Sequence, residues 1–311
     1  MKILVTGGAG FIGSNVVDAY IAAGHDVVVV DNLYSGRIEN VNPQAKFYLL
    51  DIRSPEVEKV FELEKIDVIN HHAAQKSVPA SVENPIQDAD INIMGILNLL
   101  ELAVKNNVKK FIFSSTGGAL LGDAEVIPTP ETSPVSTVSP YAITKYISER
   151  YLDFYWLTHG LKYTVLRYAN VYGPRQIAEG ECGVTPIFLD NLLNDRASTL
   201  YAYSHMPEGC TRDYVYVEDV ARANMLALTK GDNMVINIGT GIEVSTAAVY
   251  KLLQDVTGKH EIPLKHGGER VGDLERSALD ITRAKEQLGW EPLTDFRTGL
   301  KKTVKYFKDE R

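Results

Sequence analysis

The sequence predicts a doubly wound α/β fold, with helices on both faces of a parallel sheet, followed by a smaller C-terminal α/β lobe. Short β-branched runs alternate with helical patterns through the first half of the chain, which is typical of such a sheet. A glycine-rich turn lies directly between the first run and the first helical pattern. The alternation breaks down after Gly173-Pro174, and this break predicts the second lobe.

The first half contains six predicted strands, all short and mostly apolar. They lie at residues 2–6, 26–30, 46–50, 67–71, 110–113 and 163–167. Helical patterns run from the glycine turn to residue 23 and over residues 55–63, 85–106 and 141–159. Ligands of doubly wound sheets bind outside the carboxyl ends of the strands. Polar clusters follow the later strands at that edge, so we expect the binding cleft there.

The second half is less regular. It contains predicted helices at 186–194, 217–228, 245–257, 282–288 and 296–308, and one predicted strand at 234–238. We assign residues 1–173 to a dinucleotide-binding domain and residues 174–311 to a substrate lobe. The chain is expected to return to the first domain between about residues 213 and 241.

The first turn carries a phosphate-binding pattern of glycines. Gly7, Gly10 and Gly13 form G-x-x-G-x-x-G, and glycine permits both a tight turn and close approach of the backbone to a pyrophosphate. The helix that follows offers free N–H groups at its N-terminus, beginning at Phe11 and Ile12. Strand, turn and helix in this order predict a Rossmann-type dinucleotide site.

The second strand ends at Asp31, about 20 residues past the turn, where an acidic residue binds the ribose 2′-hydroxyl. The carboxylate would repel a 2′-phosphate, so NAD is predicted rather than NADP. Arg37 in the next loop would suit such a phosphate, but we interpret it as a solvated arginine.

Bulk properties exclude several classes of protein. The net charge is −8 and there is no basic stripe, so nucleic-acid binding is not indicated. No apolar run approaches the length of a membrane span, and the chain opens on a core strand rather than a signal peptide. The cysteines, Cys182 and Cys210, are expected to be reduced thiols in the cytoplasm. No spacing indicates a metal site.

Tyr141 and Lys145 are four residues apart on a predicted helix and therefore share one face. A neighbouring ammonium and a cationic nicotinamide both favour the phenolate and would lower the pKa of the tyrosine toward neutrality. Such a tyrosine suits acid–base chemistry on an alcohol. Ser114, Ser115 and Thr116 end the fifth strand, and the hydroxyl of Thr116 is expected to stabilise charge on a reacting sugar oxygen.

These motifs together resemble the extended short-chain dehydrogenase/reductase family, and within it most closely the UDP-glucose (UDP-galactose) 4-epimerases. The likeness covers essentially the whole chain. It includes Gly7-x-x-Gly10-x-x-Gly13, Asp51-Ile52, Ser114-Ser115-Thr116, Tyr141-x-x-x-Lys145, the run from Tyr168 to Arg175, Thr211-Arg212-Asp213-Tyr214, Asn237-Ile238-Gly239-Thr240-Gly241 and Arg270-x-x-Asp273.

The resemblance implies an enzyme that inverts carbon 4 of a UDP-hexose through a transient 4-keto sugar, with tightly bound NAD, and that is often a homodimer through helices of the first domain. The implied catalytic residues are Tyr141, Lys145 and Thr116. The implied cofactor residues are Gly7, Gly10, Phe11, Ile12, Gly13, Asp31, Asn32, Ser35, Gly36, Asp51, Ile52, Ala73, Ala74, Lys76, Asn92, Ser114, Tyr141, Lys145 and Tyr168. The implied substrate residues are Thr116, Tyr141, Asn170, Val184, Tyr201, Arg212, Arg270, Asp273 and Ser277.

Within this resemblance, Ser277 stands four residues after Asp273, where a tyrosine restricts relatives to plain hexoses. The smaller serine implies room for an N-acetyl group. The chain also departs from the family, because Leu121 precedes Gly122 where relatives usually carry tyrosine, and residues 200–210 are irregular.

Three other functions stay open at this stage. A 4,6-dehydratase usually carries Asp-Glu after the Ser/Thr, and Gly117-Gly118 argues against it. A UDP-uronic acid 4-epimerase fits the same residues. A non-catalytic NAD-binding protein commonly loses the tyrosine or the lysine, and both are present.

Overall fold

The fold is organised around a parallel sheet of seven strands. The computed structural model describes residues 1–178, 183–270 and 272–309. The strands of the sheet are β1 (Lys2–Thr6), β2 (Asp26–Asp31), β3 (Lys46–Leu49), β4 (Val68–His71), β5 (Lys110–Thr116), β6 (Lys162–Tyr168) and β11 (Met234–Ile238). Their order is β11-β6-β5-β4-β1-β2-β3, and every neighbouring pair is parallel. The predicted fold class is confirmed.

Helices cover both faces of this sheet. Those of the first half are α1 (Phe11–Ala22), α2 (Val57–Glu64), α3 (Val78–Glu83), α4 (Pro85–Ala89), α5 (Gly95–Lys105), α6 (Gly118–Leu121) and α7 (Pro140–His159). A 3-10 turn lies at Ile38–Asn40, and a π-helical segment, Asp90–Met94, joins α4 to α5. The helix predicted at 85–106 is therefore present, with a change of winding in its middle. α3 was not predicted.

The described residues of the second half form shorter strands and four further helices. The helices are α8 (Val184–Leu193), α9 (Val217–Ala227), α10 (Thr246–Thr257) and α11 (Phe296–Asp309), with a π-helical segment at Ala284–Leu288. The strands are β7 (Asn170–Tyr172), β8 (Ser198–Leu200), β9 (Thr211–Arg212), β10 (Tyr214–Tyr216), β12 (Val244–Ser245), β13 (Leu264–His266) and β14 (Arg276–Ser277). Strands this short carry too little periodicity to be predicted from the sequence. The one strand that was predicted in the second half is β11 of the main sheet.

Apolar side chains bury both faces of the sheet. The valines of β2 are at most 1% exposed, as expected for a parallel strand covered on both sides. One core lies under α1 and α9, and a second lies under α2, α5 and α7. A third core, which contains Tyr172 and Tyr250, joins α8, α10 and α11.

Late in the sequence, β11 pairs in parallel with β6 and forms an edge of the sheet. β10 likewise pairs with β7. Within the described residues, no helix is both long enough and apolar enough to span a membrane.

Candidate active site

The sheet order reverses between β1 and β4, which is where doubly wound folds bind ligands. The glycine turn lies at this point, with Gly7 in the left-handed region at φ +70°. A β-carbon on Gly13 would lie 2.2 Å from the carbonyl oxygen of Gly7, so any side chain there is excluded. Among the described residues, none accepts a hydrogen bond from the amides of Phe11 or Ile12 at the start of α1. These donors therefore suit an anionic group.

Asp31 ends β2 beside this turn, as predicted. Its carboxylate is buried and accepts hydrogen bonds from the amides of Ala9 at 3.0 Å and Leu33 at 2.8 Å. A β-carbon on Gly36 would lie 2.9 Å from the carboxylate, so the absence of a side chain leaves the acid approachable. Ser35, which precedes Gly36, is exposed.

Asp51 lies one strand further from the switch point, after β3. Arg53 holds its carboxylate through Nε and Nη2, each at 2.8 Å, and Asn32 Nδ2 donates at 3.0 Å. The bonds from Arg53 lower the pKa of Asp51 to about 2. Ile52 buries its side chain against Gly95. This end of the cleft therefore combines an ionised acid with an apolar wall.

The loop of residues 72–77 follows β4 and faces the glycine turn. A β-carbon on Gly7 would lie 2.6 Å from the amide nitrogen of Ala73, so this loop and the turn are in close contact. Ala74 is half-buried and Lys76 is exposed at the rim. Asn92 is buried, and both of its amide atoms bond to the main chain of Gln75. Asn92 therefore supports the loop from beneath.

α7 carries the predicted acid–base pair. The helix is capped by Ser139 Oγ, which accepts from the amide of Ala142, with Pro140 in the first turn. Lys145 is buried, and its Nζ donates to the carbonyl oxygen of Ser114 at 2.9 Å. The same ammonium lies 5.9 Å from the centre of the Tyr141 ring. The two side chains thus share one face, as their spacing predicts.

Burial lowers the pKa of Lys145 to about 8, although the carboxylates of Asp88 and Glu149 oppose that shift. The ammonium therefore predominates at neutral pH, in a site where its charge is little screened. A cation so close to a phenol favours the phenolate.

The three hydroxyl residues at the end of β5 have different surroundings. Ser114 Oγ donates to the carbonyl oxygen of His71 at 2.8 Å, and Ser115 Oγ donates to Glu149 at 2.7 Å. Both hydroxyls are thus used within the protein. Thr116 is half-buried and pairs with Tyr168 across β5 and β6. No described residue bonds to its hydroxyl, so Thr116 is the one of the three that is available to a ligand.

Two histidines at the end of β4 were not predicted. His71 lies between Thr6, at 2.6 Å from its Nδ1, and the ring of Phe113. Burial, together with the charge of Lys145, holds the pKa of His71 well below its usual value and lowers that of His72 to about 3. Both rings are therefore neutral. His72 stacks on Tyr168, whose hydroxyl exchanges hydrogen bonds with Asn224 beneath the cleft.

The predicted substrate residues lie on the short strands of the second half. Arg212 in β9 is directly opposite Ser277 in β14. The hydroxyl of Ser277 would lie 3.4 Å from a β-carbon on Gly118, two residues after Thr116. The structure thus places Ser277 close to the C-terminal end of β5, where Thr116 lies. Asn170 is exposed at the start of β7.

The other predicted contacts lie further out. Val184 begins α8 and packs against the third core, and Tyr201 is exposed just after β8. Arg270 is exposed, with its Nε 3.6 Å from a carboxylate oxygen of Asp273. Tyr203, which was not predicted, donates to the carbonyl oxygens of both residues, at 3.0 and 3.1 Å. It ties the irregular 200–210 segment to the segment that contains Arg270.

Asp213, adjacent to Arg212, is another residue that was not among the predicted site residues. Its buried carboxylate accepts from the amides of Thr240, Gly241 and Leu279 and from the Thr240 hydroxyl. Burial raises its pKa, and these hydrogen bonds oppose the rise. Asp213 lies in the motif Thr211-Arg212-Asp213-Tyr214, but the backbone amides that it binds are distant in sequence. Its role can therefore be seen only in the folded structure.

The donor set around the glycine turn fits NAD. It combines a turn closed to side chains, free helix N-terminal amides and an acid at the ribose position. Across the described ranges no cluster of His, Cys, Asp or Glu could hold a metal ion.

Comparison with known proteins agrees with this geometry. The sequence profile of the NAD dependent epimerase/dehydratase family matches residues 3–239, more than half of the chain. The chain belongs to the NAD dependent epimerase/dehydratase family. Enzymes of this family depend on NAD, so the predictions of family and cofactor are both confirmed.

Several members of the epimerase/dehydratase family are similar over full length. A UDP-glucose 4-epimerase of Mycolicibacterium smegmatis is 40% identical, and the match covers 100% of this chain and 99% of the relative. The structure of a Thermotoga maritima UDP-glucose 4-epimerase with UDP-glucose is 51% identical with a TM-score of 0.96, covering 100% of this chain and 99% of that one.

Two further structures bear on the cofactor and the substrate. A Thermus thermophilus UDP-glucose 4-epimerase in complex with NAD is 43% identical, with a TM-score of 0.92 and 99% of each chain covered. A UDP-N-acetylglucosamine 4-epimerase of Methanobrevibacter ruminantium, in complex with UDP-N-acetylmuramic acid, is 35% identical with a TM-score of 0.93, covering 100% of this chain and 99% of that one.

Proposed function

We propose that this protein is a UDP-hexose 4-epimerase that inverts carbon 4 of UDP-glucose and UDP-galactose. The observation that carries the proposal is the pairing of Tyr141 with the buried ammonium of Lys145, next to the available hydroxyl of Thr116. The full-length similarity to UDP-glucose 4-epimerases supports it. The dehydratase and uronic acid alternatives have no comparable support.

Tyr141 acts as the acid–base group. In its phenolate form it accepts the proton of the sugar 4-hydroxyl, and it returns that proton when the alcohol forms again. Lys145 holds the phenolate electrostatically and binds the nicotinamide ribose. The hydroxyl of Thr116 donates to the sugar oxygen as its bond to carbon changes order. Bound NAD would supply the acceptor for the hydride of carbon 4 and the source of its return, so the reaction would involve no net oxidation.

The uridine diphosphate is held by the second half of the chain. Arg212 and Arg270 supply positive charge for the diphosphate, because guanidinium groups match its oxygens well. Asn170 and Asp273 contribute polar contacts. Holding the nucleotide while leaving the sugar free to turn lets either face of the 4-keto sugar meet the same Tyr141.

The decisive experiment uses the purified protein without added cofactor. UDP-glucose, UDP-galactose and UDP-glucuronic acid are incubated separately, and the epimers are resolved by chromatography. We expect UDP-glucose and UDP-galactose to interconvert and denaturation of the protein to release NAD(H). Conversion of UDP-glucuronic acid alone, loss of water from the sugar, or release of NADPH would contradict the proposal.

We also propose that the enzyme accepts UDP-N-acetylglucosamine and UDP-N-acetylgalactosamine. Ser277 lies beside Gly118 at the hydroxyl end of β5, and serine is smaller than tyrosine by most of an aromatic ring. Overfilling a pocket costs about 1–3 kcal/mol. Ser277→Tyr should therefore lower kcat/KM for the N-acetyl sugars while that for the hexoses changes little. Thr158→Tyr, at an exposed threonine near the C-terminal end of α7, is the control. A wild-type enzyme inactive on N-acetyl sugars would contradict this.

A homodimer is proposed through α5 and α7. Ile143, Phe154 and Leu157 lie on one face of α7 and are at least 46% exposed, and Met94 is exposed just before α5. A stripe of this kind on a helix usually marks a protein interface. Sedimentation should give a dimer for the wild type and a monomer for Phe154→Glu; a wild-type monomer would refute the assignment.

The cytoplasm is the proposed location. Cys210 is a buried free thiol, which is consistent with a reducing compartment. Cys182 lies outside the described residues. Cell fractionation should place the protein with cytoplasmic markers, and recovery from a secreted fraction would contradict this.

A further inference from the structure

Asp88, outside the predicted site, has a buried carboxylate that contacts both the loop of residues 72–77 and α7. It lies in α4 and is 1% exposed. One oxygen accepts from Gln75 Nε2 at 2.7 Å and from Asn92 Nδ2 at 3.1 Å. The other accepts from Thr144 Oγ1 at 2.8 Å. A buried carboxylate so bonded is costly to disturb, because each donor would otherwise be left unpaired.

On the loop side, these contacts fix the main chain. Asn92 accepts from the amide of Gln75 at 2.9 Å and donates to its carbonyl oxygen at 3.0 Å. The Gln75 side chain also donates to the carbonyl oxygen of Ser77 at 2.9 Å. Lys76 lies between these two points, and Ala73 and Ala74 directly precede Gln75. All three are predicted cofactor contacts of the loop.

On the helix side, the contact falls within the acid–base pair. Thr144 stands between Tyr141 and Lys145 in sequence, and its hydroxyl oxygen is also 3.0 Å from the carbonyl oxygen of Tyr141. Asn92 Nδ2 reaches the same hydroxyl at 3.2 Å. The N-terminal end of α7 is therefore bonded to the residues that hold the loop of residues 72–77.

Charge adds to this geometry. Asp88 and Glu149 are the two carboxylates that favour the ammonium form of Lys145. Glu149 is engaged by Arg167 in a buried ion pair at 2.7 Å. Among the described residues, the hydrogen-bond donors to Asp88 are all neutral, so no hydrogen-bonded cation offsets its negative charge. Asp88 therefore supports the cation that the acid–base pair requires.

We propose that Asp88 is a positioning residue. Through Thr144 it joins the loop of residues 72–77, here called the cofactor loop, to the N-terminal end of α7. It sets the separation between bound NAD and the Tyr141–Lys145 pair, and in this it rests on the proposed function. The side chain touches neither substrate nor cofactor in this role. Its loss should therefore change how firmly NAD is held and how fast the sugar is turned over, but not how well UDP binds.

The test compares Thr144→Val with Thr144→Ser. Valine keeps the shape and removes the hydroxyl, whereas serine keeps the hydroxyl. Thr158→Val, at an exposed threonine of the same helix, is the control. Three quantities are measured on the holoenzyme: kcat, the exchange rate of bound NAD against labelled NAD, and the Kd of UDP. We expect valine to lower kcat and speed exchange by about tenfold each, the ratio that one hydrogen bond to a charged group represents.

Serine should stay within about threefold of the wild type, a fraction of one hydrogen bond, and the Kd of UDP should not change. Asp88→Asn should speed NAD exchange at least as much as Thr144→Val. Equal losses in the serine and valine variants, or wild-type NAD exchange in Thr144→Val, would overturn the proposal. NAD exchange does not depend on the sugar, so the positioning role is tested even if the epimerase assignment fails.

Discussion

The cleft has a cofactor side, formed by the loop of residues 72–77 and α7, and a substrate side, formed by β9, β12 and β14. One buried aspartate stabilises each side, and the two aspartates bind different kinds of partner. On the cofactor side, the carboxylate of Asp88 accepts hydrogen bonds from three side chains and, in the part of the chain that the structure describes, from no backbone amide. On the substrate side, Asp213 accepts mainly from backbone amides, those of Thr240, Gly241 and Leu279. Both carboxylates are about 1% exposed.

The difference follows from the strands that each aspartate serves. The cofactor side rests on the seven-stranded sheet, whose ladders already satisfy the backbone. Side chains are then free to set the spacing of loop and helix. The substrate side is built from β9, β12 and β14, which are two residues long each. Strands this short offer few ladder bonds, so a carboxylate supplies the missing acceptors.

The largest expected effect tests the cofactor side at its centre. Tyr141→Phe removes the phenol and keeps the ring, so NAD should stay bound while kcat falls at least about 100-fold, the scale of a positioned acid–base group. Steady-state assays and NAD content after denaturation measure both. Tyr146→Phe on the same helix is the control. Near wild-type turnover in Tyr141→Phe would move the role to another residue.

A smaller effect should appear in stability. The folded pKa of Lys145 is about 8, below its ordinary value of 10.5. Between these values the unfolded chain holds a proton on Lys145 that the folded chain has released, so the contribution of Lys145 to wild-type stability becomes less unfavourable as pH rises across that window. Below pH 8 the full destabilisation by Lys145 is present. NAD-free Lys145→Met should therefore be more stable than wild type at pH 7 by about 1–3 kcal/mol.

Urea unfolding at pH 7 and pH 10 measures this difference, which should shrink at the higher pH. Lys305→Met, at an exposed lysine of α11, is the control and should change little at either pH. A Lys145→Met protein that is less stable than wild type at pH 7 would contradict this prediction. It would show that the interactions of the ammonium in the folded protein outweigh its desolvation penalty.

The smallest expected effect tests the substrate side. The carboxylate of Asp213 accepts hydrogen bonds from four donors. Asp213→Asn replaces one of its oxygens with an NH2 group and should loosen the pairing of Arg212 with Ser277. The KM for the UDP-sugar should rise about tenfold, as for one lost charged hydrogen bond, while NAD content stays at the wild-type level. Asp195→Asn, an exposed aspartate, is the control. Loss of NAD from Asp213→Asn would erase the distinction between the two sides.

The cofactor side could be predicted in far more detail than the substrate side. The glycine turn, Asp31 and the Tyr141–Lys145 spacing are local patterns whose geometry follows from one strand or one helix. Asp88 and Asp213 have no such pattern, because their partners lie up to 66 residues away in sequence. The doubly wound parallel sheet was predicted from the alternation of elements, whereas two-residue strands exist only through tertiary pairing.

The π-helical segment Asp90–Met94 has a consequence for insertions and deletions. A π turn holds one residue more than an α turn, so the helix from α4 to α5 contains a residue that its neighbours in the core do not need. Removing Met94, whose side chain is 55% exposed, would restore regular winding and leave the buried faces of α4 and α5 aligned. Asn92 lies in the same segment and bonds to the main chain of Gln75. We therefore expect a deletion here to disturb the support of the loop of residues 72–77 before it disturbs the packing of α4 and α5.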